Sequence, residues 1–116
     1  MKENIIKLKS FDFALRIVNL YKYLIDVKKE FVLSKQLLRS GTAVGAMIRE
    51  SEHAESKSDF IHKLSLALKE ANETEYWIEL LYKSGFIDEK SFQSIQIDIT
   101  ELLKLLTAII KTSKSK

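Results

Sequence analysis

The stretch QLLRSGTAVGAMIRES, residues 36–51, decides the fold. It reads as a helix, yet it is built from residues that helices usually avoid. Gly41 and Gly45 fall four apart and so lie on one face. Ser40, Thr42, Ala43 and Ala46 are small as well. Two interior glycines cost about 2 kcal/mol relative to alanine, and close approach of another backbone is the natural compensation. At about 100° per residue, Leu37, Leu38, Gly41, Val44, Gly45 and Ile48 share one face. Lys35, Arg39 and Arg49 lie on another, with Thr42, Ala46 and His53. The spacing predicts a helix over 34–54 that packs tightly on one side and shows small and basic groups on the other.

Upstream, Ser10 is a candidate N-cap for a helix over 11–28, with residues 1–9 a frayed or partly helical start. Asp12, Arg16, Asn19, Tyr23 and Asp26 make a narrow polar stripe on it. The remaining arc is apolar over about 200°, wider than the ~100° that one core needs. A second packed surface follows, which points to self-association. Phe13, Ile17 and Leu20 are candidate interface positions on this arc. Residues 28–31 break the pattern, and Ser34 is placed to cap the next helix.

Downstream, Ser56-x-x-Asp59 resembles a capping box with Asp in place of Glu, opening a long helix over 57–84. Its core face is Phe60, Ile61, Leu64, Ala67, Leu68, Ala71, Ile78 and Tyr82. On the other side Leu66, Trp77 and Leu80 align with Glu70 and Glu73, a second candidate subunit surface. Gly85 sits where a left-handed C-cap belongs. Asp88 caps a last helix over 89–112, whose apolar stripe runs from Phe92 to Ile110, before a short basic tail. Four helices on short connections predict an all-α fold, an antiparallel up-down-up-down four-helix bundle forming one domain over 1–116.

Composition narrows the function. Hydrophobic residues at 46% and charged residues at 30% are those of a globular domain. With no cysteine, disulfides and thiolate metal sites are excluded, and a reducing cytoplasm is compatible. No apolar run approaches the ~20 residues of a membrane span, and MKENIIKLKS lacks the apolar stretch of a signal peptide. A cytoplasmic protein without membrane contact is expected. Glu50-x-x-His53 and Asp59-x-x-His62 have the i, i+3 spacing of di-metal bundles, but the first helix offers only Asp12 and Asp26, both on its polar stripe. No metal or other cofactor is expected. The histidines lie on polar faces, and Gly41-x-x-x-Gly45 lacks the strand and lysine of a phosphate loop, so no enzyme is expected either. Glu75 projects near the core face and suits a buried hydrogen-bonding role.

Charge is the remaining signal. Net charge is +3. Residues 1–40 carry nine Lys/Arg against four Asp/Glu, residues 41–82 four against eight, and residues 83–116 six against four. Arg16, Lys22, Lys35, Arg39 and Arg49 belong to the first two helices. Repeated around a ring of subunits, they would offer a phosphate backbone a substantial field. Arg39 and Arg49 are the first choices for phosphate contacts, with Lys35, Arg16 and Lys22 behind them.

Two runs carry a family resemblance over about 11–110. Gln36, Arg39, Ser40, Gly41, Val44, Gly45, Ile48 and Glu50 form the first. Asp59-Phe60, then Ala67-Leu68-Lys69-Glu70-Ala71 and Glu73-Thr74, form the second. The chain resembles the bacterial 23S rRNA intervening-sequence proteins, also called four-helix bundle proteins. Met47 stands where that family often has asparagine, so a polar contact is missing there. The resemblance implies a bundle assembling as a ring-shaped homopentamer. It extends to the accessory protein of diversity-generating retroelements, a basic pentamer that binds nucleic acid and a reverse transcriptase. The expectation is a non-enzymatic oligomer that binds RNA or DNA. The alternative is a scaffold for a protein such as a reverse transcriptase.

Overall fold

Four helices take up nearly all of the chain: α1 (Lys2–Asp26), α2 (Leu33–Ser51), α3 (Lys57–Lys83) and α4 (Glu89–Lys114). The computed structural model describes residues 2–116, with side chains from Ile5 onward. Each helix packs on its neighbours in sequence, α4 closes against α1, and among the described residues no contact crosses the diagonal. That is the pattern of an up-down four-helix bundle, 47 Å long and 22 × 19 Å across. No described helix is long and apolar enough to cross a membrane.

The core follows a three-four spacing on every helix. Ile6, Ser10, Phe13, Ile17 and Leu24 are buried on α1. Leu37, Gly41, Val44 and Ile48 are buried on α2, and Leu64, Ala67, Ala71, Thr74, Ile78 and Leu81 on α3. From α4 come Ile95, Ile99, Leu102, Leu106 and Ile109. Such a repeat keeps one stripe facing the bundle axis along nearly parallel helices.

The small residues of α2 set its distance from α1. A Cβ built on Gly45 would lie 3.3 Å from the Ser10 carbonyl oxygen, and one on Gly41 would lie 2.8 Å from Ile17 Cγ1. The backbone approach expected from the glycine pair is therefore made by α1. On the other side of α2, the buried hydroxyls of Ser40 and Thr74 lie 2.9 Å apart and join α2 to α3.

Three expectations need correction. Ser10 is not a cap: α1 is helical from Lys2, Ser10 is a small core residue against Gly45, and its hydroxyl donates to the Lys7 carbonyl at 3.1 Å. The first residue of the expected frayed start, Met1, lies outside the described residues. Ser34 is not a cap either. The Glu30 carboxylate accepts from the N–H groups of Val32, Leu33 and Ser34, while the Ser34 hydroxyl donates back to the Glu30 carbonyl at 2.7 Å. Phe13 and Ile17 face the chain's own core, 2% and 0% exposed, so neither is available to a second copy. The outward half of the arc is carried by Leu8, Phe11 and Leu15.

The later termini follow their local signals. Ser56 accepts from the Asp59 N–H at 3.0 Å, and Asp88 from the Ser91 N–H at 2.7 Å. Asp59 reaches back one residue further than a capping box, to the N–H of Glu55. Gly85, at φ 88°, closes α3 with paired bonds from Gly85 N–H to the Tyr82 carbonyl and from Phe86 N–H to the Leu81 carbonyl.

Candidate functional site

The five candidate cations occupy three different settings. Arg16 is a strap between α1 and α4, donating to Asp98 at 2.8 Å and to Ser94 at 2.7 Å. Arg39 spans the α2–α3 seam and grips Glu70 and Glu73. Arg49 has no carboxylate partner among the described residues; its guanidinium lies 5.5 Å from the Phe11 ring centroid. Lys22 and Lys35 are exposed and take part in no ion pair among the described residues. Two of the five are thus neutralised inside the chain. Lys22, Lys35 and Arg49 remain, on the face shared by α1 and α2.

The α2–α3 seam ties the guanidinium network to the only tryptophan. The Trp77 indole N–H donates to Glu73 at 3.0 Å. Trp77 is half-buried against the core and meets Tyr76 edge to face at 5.0 Å. Leu66, Leu80 and Leu20 are likewise half-buried. The exposed aromatic on α3 is Tyr76, 59% accessible. The indole N–H and then Arg39 hold the Glu73 carboxyl below its ordinary 4.5, against a smaller opposing effect of burial. A carboxylate lowered in the folded state stabilises it above pH 4.5, and that contribution drains away as pH falls through the folded value. Because the pair is partly solvated, Arg39→Gln should cost about 1 kcal/mol or less. Urea melts followed by Trp77 fluorescence should show the variant's deficit shrinking as pH falls below the ordinary carboxylate range, and also in high salt.

The other carboxylates named from sequence do not gather into a metal site among the described residues. Glu50 pairs with Lys63 at 3.3 Å, and His53 and His62 are exposed. No cluster of three or more metal-ligating side chains occurs among the described residues. Glu75 accepts from Gln96 Nε2 at 3.2 Å and joins α3 to α4.

Between α1 and α2 lies a cleft of about 410 Å³, floored by Ser10, Ala14, Thr42, Gly45 and Ala46 and rimmed by Lys7, Phe11, Arg49 and Glu50. Its floor is low because the residues that let the helices approach have no bulk. Beside it Leu8, Phe11 and Leu15 stand 68%, 50% and 51% exposed. Their spacing puts all three on one outward stripe of α1. The free edge of the wide apolar arc thus lies one face away from Phe13 and Ile17.

The model of the 23S rRNA-intervening sequence protein family matches residues 2–108. The chain belongs to that family. A crystal structure of a protein of unknown function from the S23 ribosomal protein family of Bacteroides thetaiotaomicron is similar to it, with 60% identity and a TM-score of 0.94. The match covers 96% of this chain and 99% of that one. No curated protein matches the chain.

The runs that carry the family resemblance make packing rather than an open site. Ser40, Gly41, Val44 and Ile48 are core. Gly45 admits α1, Thr74 meets Ser40, and Arg39 meets Glu70 and Glu73. Met47, at the family's frequent asparagine position, is half-buried against the core.

Proposed function

We propose that this member of the family is a non-catalytic cytoplasmic oligomer, a ring of bundles that binds nucleic acid through Lys22, Lys35 and Arg49. The outward stripe of Leu8, Phe11 and Leu15 beside a shallow cleft carries the reading, because a lone bundle leaves these side chains in water. A homopentamer of the kind the family resemblance implies would bury the stripe and multiply the three unneutralised cations. Binding would be to the phosphate backbone, since the sequence carries no recognition-helix or RNA-module signature. Filter binding of 23S rRNA fragments at rising salt tests it. Three contacts per protomer predict a log–log slope of about −2 or steeper, and neutralising Lys22, Lys35 and Arg49 to glutamine should flatten it. A slope near zero for the native protein counts against the reading.

Exposed Tyr76 next to Trp77 favours a second reading, a scaffold for a protein such as a reverse transcriptase. Partners that survive nuclease during purification from the native host would support this one.

A further inference from the structure

The connection between α1 and α2 is rigid, apolar and basic at once. Lys29 holds φ 56°, a left-handed conformation that costs a non-glycine residue about 1 kcal/mol or more. The Glu30 N–H donates to the Leu24 carbonyl at 3.0 Å, and the Glu30 carboxylate gathers three backbone N–H groups on the other side. A loop pinned this way by its own backbone has no structural use for large apolar side chains in water. Yet Val27, Phe31 and Val32 are 63%, 59% and 71% exposed. Lys22, Lys28, Lys29 and Lys35 flank them, all exposed and none in an ion pair among the described residues. Of the acids around this connection, Glu30 is engaged on the start of α2 and Asp88 on Ser91, while Asp26, at the end of α1, is exposed and leaves the four lysines in excess.

We propose that this loop is a stacking platform for single-stranded nucleic acid, with Phe31 against a base and Lys28, Lys29 and Lys35 on the flanking phosphates. The inference rests on the nucleic-acid reading above and names the form of its ligand. An aromatic ring at a fixed loop tip meets the face of an unpaired base, whereas in a duplex that face is covered by its neighbours. Rigidity means that the ring is presented without further ordering on binding. Lysines on both sides in sequence supply the charge complementarity.

Fluorescence anisotropy on the full-length native protein tests it, with a short unstructured RNA and the same RNA annealed to its complement. The single strand should bind more tightly. Phe31→Ala should weaken that binding about tenfold, leave the duplex unaffected and be rescued by Phe31→Tyr. In Phe31→Trp the new indole should be quenched by the single strand, with Trp77 alone as the control. Phe31 is exposed, so unchanged thermal melts should accompany all three variants. Equal affinity for both RNAs, or an indifferent Phe31→Ala, overturns the platform and leaves the general reading standing. Failure of the native protein to bind either RNA removes both. Loss of binding to phosphatidylserine vesicles in Phe31→Ala, with RNA binding intact, would make the loop a lipid contact and overturn the proposal.

Discussion

Gly41→Leu is expected to destabilise the bundle by about 3 kcal/mol, and Ile17→Ala in the same chain to relieve part of that loss. A Cβ at position 41 would sit 2.8 and 2.9 Å from the two Cγ atoms of Ile17 and 3.2 Å from its Cδ1. Ile17 is completely buried, so it can shift only against the packed side chains of the core. Gly41→Ala sets two effects against each other. Alanine gains about 1 kcal/mol of helix propensity, while the forced shift of a packed isoleucine costs about 1–3 kcal/mol. The net should be a modest loss, and leucine turns it into a large one. Ile17→Ala alone opens a cavity worth about 2–5 kcal/mol. Combined with Gly41→Ala, the new methyl enters the space that the isoleucine vacates. Urea melts of the four chains in that cycle should return a coupling of about 1 kcal/mol or more in favour of the double variant. Strict additivity would mean that α1 and α2 do not meet through these two residues.

How much of this arrangement was legible in the sequence depends on how local each signal is. Gly85, Asp88 and Ser56 act within a few residues of themselves, so their roles could be read directly. Ser10 and Ser34 could not. A hydroxyl on a core stripe has the same composition as a hydroxyl at a helix start, and only the facing Gly45 shows why Ser10 must be small. Glu30 caps α2 from outside the helix through three N–H groups, an arrangement with no one-residue signature. The broad apolar arc of α1 was plain, but its inward half is chosen by α2 and α4, not by α1. That is why periodicity alone cannot tell inward Phe13 and Ile17 from outward Leu8 and Leu15. Arg39 shows the same limit for charge. Its partners Glu70 and Glu73 lie 31 and 34 residues away and meet it only after α2 and α3 pack antiparallel.

Replacing Leu8, Phe11 and Leu15 together by glutamine is expected to leave a folded monomer. Glutamine is a good helix former and adds no charge, so α1 and the charges of the phosphate-binding cations are kept, Arg49 losing only its contact with the Phe11 ring. The three side chains point away from the bundle axis, and thermal melts should therefore move little apart from the lost concentration dependence. Full burial of each would contribute about 1.5–3 kcal/mol. They are already about half covered, so removing them should cost about 3 kcal/mol per interface side, over a hundredfold in association. Sedimentation or native mass measurement at matched concentrations reads the change. A wild-type protein that stays monomeric at high concentration, or a triple variant that still assembles, would remove the stripe from the account. The same variant separates assembly from charge. A monomer carries only +3, so pooling predicts that its RNA affinity and salt slope fall together. A monomer that binds RNA as tightly as the wild type would leave the interface standing and show that one α1–α2 face suffices for the nucleic acid.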